Sequence, residues 1–152
     1  MKIISIITVT LFITTSAWAQ KSDSTAVYSV LEEIFTVCNS ASAEGENSNL
    51  IIFERLAQYI AYNGNDVARK FKINCDYNKS EDRKIVDDAG FTIKSLLDKI
   101  EKYSLKKYNY VKEGSLDKYT LLINCKSGTS NKEINFVFVK VKNSFLLAEI
   151  KQ

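Results

Sequence analysis

Beyond Ser104 the chain alternates apolar and polar residues in four segments, about Leu105 to Lys112, Lys118 to Lys126, Ile134 to Val141 and Phe145 to Ile150. A period of two places neighbouring side chains on opposite faces, so these are strands and not helices. Short polar breaks separate them, at Glu113-Gly114-Ser115, at Ser127 to Asn131 around Gly128, and at Asn143-Ser144. Breaks of that length join consecutive strands as antiparallel hairpins. Tyr119, Leu121, Ile123 and Cys125 make one apolar face, whereas from Phe136 to Val141 both faces are apolar. The later strand is therefore central, and its second face needs cover from the chain, a ligand or a second subunit.

The N-terminal half carries the helical period instead. Ser22-Asp23-Ser24 offers capping side chains, and Val27, Leu31, Ile34 and Cys38 recur at helical spacing, predicting a helix from about Ser24 to Asn39. Ser40 to Asn49 has no periodicity and is expected to be a loop. Ser48 can cap a second helix with Ile52, Leu56, Tyr59 and Ile60 on one side, stopped by Asn63-Gly64-Asn65. Phe71, Ile73, Cys75 and Tyr77 alternate with polar residues and predict a short strand. Ser80 then caps a long helix, with Glu81 and Asp82 in its first turn, where acids suit the helix dipole, and Val86, Ala89, Ile93, Leu96, Leu97 and Ile100 on its buried side. The expectation is an α+β domain: two N-terminal helices, a short strand, a long helix, then a curved antiparallel sheet of about four strands.

The first residues announce export. Lys2 is followed by a mostly apolar run from Ile3 to Ile13 and by the small-residue triplet Ala17-Trp18-Ala19, the three parts of a cleavable signal peptide. The run is shorter than the roughly 20 apolar residues that span a bilayer. Cleavage after Ala19 leaves Gln20 first, with no cysteine to carry a lipid, and one domain from 20 to 152 that is periplasmic or secreted, without membrane attachment. The formal charge of +3 falls to +2 when Lys2 is lost. That is too near neutrality to argue for nucleic acid as a partner.

Absent residue types narrow the chemistry. The chain has no histidine and no proline. Ser-His-Asp and Cys-His hydrolysis and His-ligated zinc catalysis go together, leaving acid-base work to Asp, Glu, Lys, Tyr or Cys. Cys38, Cys75 and Cys125 are an odd number, lie in apolar-periodic stretches and match no zinc spacing, so they are expected to be core thiols. Asp87 and Asp88 are adjacent on a helix and point in different directions, so no metal is expected, and no cofactor. Lysines 99, 102, 106, 107 and 112 interleave with Tyr103, Tyr108 and Tyr110; a single-strand binder mixes residues this way, but so does a solvated face, which is the expectation here.

The element order, closing on Val137-Phe138-Val139-Lys140-Val141 and Leu146-Leu147-Ala148-Glu149-Ile150, resembles the nuclear transport factor 2-like family from Ser24 to Ile150. The resemblance implies a cone in which a curved sheet wraps helices, with small molecules, where bound, in its mouth. Tyr62, Gly64, Asp66, Arg69 and Phe71 form a block similar to one carried before the long helix by small exported bacterial domains of unassigned role. Asp23-Ser24-Thr25 looks like an exported-protein O-glycosylation sequence, though Ser24 has an alternative use as a cap.

From the block, Tyr62, Asp66 and Arg69 are the candidate ligand-binding residues. Arg69 offers a planar donor fork for a carboxylate, Asp66 an acceptor, and Tyr62 an aromatic wall with a hydroxyl. The alternative is a local Asp66–Arg69 ion pair that fixes the turn. The function expected is an exported non-enzymatic binding or interaction domain, with a homodimer through the sheet face or a small-molecule or protein ligand. A small isomerase or dehydratase using carboxylate and tyrosine is the other reading, and it requires a buried carboxylate with a raised pKa.

Overall fold

The structure, a computed structural model, describes residues 23–40 and 48–152. The expected signal peptide Met1–Ala19, the start at Gln20 and most of the expected loop between Ser40 and Asn49 lie outside those residues. Within them the chain is α+β, with three helices and an open four-stranded antiparallel sheet.

Helix α1 occupies residues 23–39, and Val27, Leu31, Ile34 and Cys38 are its buried line. Ser24 stands inside this helix and not at its cap. Helix α2, Ser48–Leu56, passes into a 3-10 turn at Ala57–Tyr59 and ends with Ile60 extended. That is well short of the predicted stop at Asn63-Gly64-Asn65. Tertiary pairing ends it: Ala61 N–H donates to Leu147 O (2.8 Å) and Cys75 N–H donates to Ile60 O (2.8 Å). Both backbone groups are thereby taken out of any helical ladder.

The predicted strand Phe71–Tyr77 is corrected to a turn-rich segment whose one bridge is Asn74 to Ala61. Its alternation is half real, since Cys75 and Tyr77 are buried, but a strand needs a partner along its length. Phe71 instead takes a left-handed backbone, φ 57°. Helix α3, Ser80–Leu97, is preceded by Lys79 at the cap position, with no side-chain capping bond, so Ser80 opens the helix and does not cap it. Val86 and Ile93 are fully buried, and Ala89, Leu96, Leu97 and Ile100 pack against the core, as predicted.

Strands β1 (Lys102–Glu113), β2 (Leu116–Ser127), β3 (Ser130–Val141) and β4 (Ser144–Lys151) lie in sequence order in the sheet. Their two-residue turns begin with Gly114 (φ 61°), Gly128 (φ 55°) and Lys142 (φ 56°); a positive φ at the first turn position suits the right-handed twist of a hairpin. Two bulges keep the apolar residues on one face. The register slips between Leu105 and Lys107, so Tyr103, Leu105, Tyr108 and Tyr110 all meet the core although the interval from 105 to 108 is odd. A second slip, opposite Val137/Phe138, lets Leu147 and Ile150 both reach it. An extra residue restores the face that strict alternation would lose.

The reverse face of β3 is covered in part by the chain itself. Val139, Leu146 and Ala148 form a smaller buried cluster with Ala61, flanked by Phe71, Leu116 and Val141. Segment 60–75 thus bridges the β4 edge at Leu147 and covers part of the sheet with Ala61 and Phe71.

Candidate functional site

Segment 60–79 is fastened to the first turn of α3 by side chains that the sequence scatters over twenty residues. Tyr62, fully buried, donates its hydroxyl proton to Glu81 Oε2 (2.6 Å), while Glu81 Oε1 accepts the Asn65 N–H (3.0 Å) and the Tyr62 oxygen accepts the Asp66 N–H (2.9 Å). A Cβ on Gly64 would stand 2.6 Å from both Glu81 Oε1 and the Tyr62 hydroxyl. A larger residue there would have to displace the Tyr62–Glu81 hydrogen bond.

Arg69 lays its guanidinium on the Tyr62 ring, 4.0 Å from the centroid, and pairs through Nη2 with Asp82 Oδ2. Asp82 Oδ2 also accepts the Asp76 N–H at 2.8 Å. Asp82 is the buried charged side chain among the described residues, at 0% exposure, against 21% for Arg69. Asp82, expected from the sequence only as a first-turn acid facing the helix dipole, is thus a buried member of a tertiary ion pair. Burial by itself would raise its pKa, but the Arg69 and Asp76 hydrogen bonds outweigh that and hold it below the ordinary aspartate range. Glu81 is also lowered, first by the Tyr62 hydrogen bond and then by the Asn65 N–H. Tyr62 moves the other way, raised by burial and by Glu81.

All three sequence-predicted residues thus lie in one segment, but only two of them join by side chain. Asp66 does not pair with Arg69. Its Oδ1 accepts the Ala68 N–H (2.9 Å) and its carbonyl accepts the Arg69 and Lys70 N–H groups, an Asx-type turn. Sequence reading missed Glu81 and Asp82, whose first-turn position explains them as dipole partners and hides their tertiary role.

Beside this network a groove of about 370 Å³ runs between α3 and β4. Ile60, Ile85, Ala89, Leu147 and Ile150 give it apolar walls, and Asn63, Asp88, Thr92 and Glu149 its polar rim. Asn63 is fixed by donating to Ala148 O at 3.1 Å. The rim carries the carboxylates of Asp88 and Glu149, the latter paired with Lys151, and no lysine or arginine lines it, so it suits a ligand with an apolar body and a hydrogen-bond-donating or cationic group.

Burial pushes Cys38 up to about 11 and Cys75 up to about 12, and all three cysteines are buried free thiols. On β1 the lysines at 102, 106, 107 and 112 are exposed while Tyr103, Tyr108 and Tyr110 turn into the core; aromatic rings so placed cannot stack bases. No group of three or more Cys, Asp or Glu side chains with metal-binding geometry occurs among the described residues, and no described helix is long and apolar enough to cross a membrane. Comparisons with protein-family models, curated proteins and solved structures find no match to this chain.

Proposed function

We propose that this chain is an exported, non-catalytic binding domain whose ligand occupies the groove between α3 and β4. Export rests on the basic start, apolar run and small-residue triplet of Met1–Ala19. The cone architecture of the nuclear transport factor 2-like class is part of the proposal, supported by the order of three helices before four sequential antiparallel strands. The observation that carries the binding reading is the groove itself: apolar walls, polar rim, and a wall residue, Ala89, small enough to leave the space open.

Electrostatics favour binding over proton transfer. A carboxylate-and-tyrosine isomerase or dehydratase needs an acid poised near neutral pH. Here Asp82 and Glu81 shift down and Tyr62 up, so each is held in its ordinary charge state at pH 7. A homodimer through the sheet face is the competing partner reading, and the self-made cover over Val139, Leu146 and Ala148 removes part of the apolar surface it would use.

Two measurements test this. Native mass spectrometry of protein recovered from its export compartment should show a mature start at Gln20 and a single-copy mass; a doubled mass supports the sheet-face dimer. Nile red, a neutral apolar dye, should bind the wild type and lose at least tenfold in affinity for Ala89→Trp, whose indole fills the groove. Equal dye binding by a folded Ala89→Trp, checked by circular dichroism, would sink the groove.

A further inference from the structure

We infer that the ligand of this groove is an extended peptide segment, basic at one end and acidic at the other, lying along α3; the inference rests on the binding reading above and names its ligand class. A second depression adjoins the groove at Thr92. That residue also lines this second section of about 580 Å³, walled by Phe91, Leu96, Ile100 and Cys125, with Lys99 and Lys132 on its rim. Phe91 is 56% exposed there, an aromatic wall held edge-on by Phe53 at 4.9 Å between centroids.

Charge changes sign along this trough. Asp88 and Glu149 stand in the first section, Lys99 and Lys132 in the second. Glu149 is shared with Lys151 (2.7 Å) and Lys132 donates to Gln152 Oε1 (2.6 Å). Asp88 and Lys99 have no side-chain partner among the described residues. Positions 88, 92, 95 and 99 follow at intervals of four, three and four, so Asp88, Thr92 and Ser95 share one face of α3, and Lys99 continues that line in the turn just beyond Leu97, where its N–H donates to Leu96 O. Eleven residues at roughly 1.5 Å rise place the α-carbons of Asp88 and Lys99 about 16 Å apart. An extended chain covers that in about five residues at 3.3 Å each.

Between the charges, the hydroxyls of Ser95 and Ser130 offer hydrogen bonds to a peptide backbone, Thr92 Oγ1, which donates to Asp88 O at 2.8 Å, can still accept one, and the apolar walls offer places for alternate side chains. A polyanion would be repelled at Asp88 and a polycation at Lys99.

The test uses three end-blocked, dye-labelled octapeptides with the same apolar-polar centre: one with two lysines at one end and two glutamates at the other, one with lysines at both ends, one with glutamates at both. By fluorescence anisotropy on the mature protein at low salt, the mixed peptide should bind about tenfold tighter than either uniform one, a gap that shrinks at about 0.5 M salt as the charges are screened. Lys99→Glu with Lys132→Glu should reverse the order, weakening the mixed peptide about tenfold and making the all-lysine peptide the tightest. Equal binding of the three, or mixed-peptide binding untouched by the charge reversal, overturns the inference. If no peptide binds while Nile red still distinguishes wild type from Ala89→Trp, the peptide ligand fails and the groove stands; if Nile red fails as well, the binding reading falls with it.

Discussion

Taking an ionised carboxylate out of water costs several kcal/mol, and at Asp82 that cost is offset by the Arg69 guanidinium and the Asp76 N–H on the same oxygen. The pair meets through one nitrogen and one oxygen, leaving Arg69 Nε and Asp82 Oδ1 buried without partners among the described residues, so little is in reserve if either side is lost. Asp82→Ala should destabilise the protein by about 3 kcal/mol in urea unfolding, since it strands the guanidinium against Tyr62. The double variant Arg69→Met/Asp82→Leu should lose less than the two single changes added together, because replacing both partners leaves no orphan. A folded pKa below the unfolded one gives stability that is complete above the unfolded carboxyl range of about 4 and lost as pH falls through the folded value. The urea midpoint should therefore hold from pH 7 to 5 and fall below about pH 4, with a smaller fall in Asp82→Asn; an equal fall in that variant would show that other acids control it. Spacing in the sequence could suggest only the neighbour three residues away, Asp66, as the partner of Arg69. The actual partner, thirteen residues on, is brought over by the turn that carries Phe71.

At the scale of elements, close approach and turn geometry decide which positions are intolerant. Gly90 lies buried in mid-α3, where an added Cβ would run into the Phe53 ring. Gly90→Ala should cost about 1–3 kcal/mol through overpacking, even though alanine is the better helix former by roughly 1 kcal/mol. Lys142 has the opposite fault. It holds φ 56° at the start of the β3–β4 turn, where a side chain costs roughly 1–2 kcal/mol and glycine roughly 0.5–1 in entropy, so Lys142→Gly should raise stability by about 0.5–1 kcal/mol in a thermal or urea melt. The three hairpins were legible because alternation and short breaks are local signals. The bulges were not marked in advance, yet their trace is in the sequence: core-facing residues separated by three, at Leu105 to Tyr108 and Leu147 to Ile150. Segment 71–77 carried the same alternation without a strand to pair with, and so it folded as turns.

The whole molecule gathers α1, α2, α3 and one face of all four strands into one core. Three free thiols lie in it, shielded from reagents. Alkylation of the native protein under non-reducing conditions should modify none of Cys38, Cys75 and Cys125, with all three reacting once the chain is unfolded; mass spectrometry reads the result, and a pair that resists alkylation until reduced would reveal a disulfide. Beyond the core, no strand among the described residues pairs with the β1 edge, whose lysines at 102, 106, 107 and 112 are exposed, charges that discourage edge-to-edge association. The β4 edge is bridged at Leu147 by Ile60 and Ala61. That bridging segment also builds one wall of the groove, since Ile60 and Asn63 line it.

By itself the sequence determined the three helices and the four long strands, which side of each is apolar, and which catalytic chemistries lack their residues, but not that segment 71–77 folds as turns. These properties are carried by periodicity and composition, which act over a few residues. Only the tertiary structure decided where α2 ends, what covers the reverse face of β3, which acid answers Arg69, and that Asp88 and Lys99 border one trough. Each of those depends on distances between segments far apart in the chain, set by how the elements pack and not by their spacing along it.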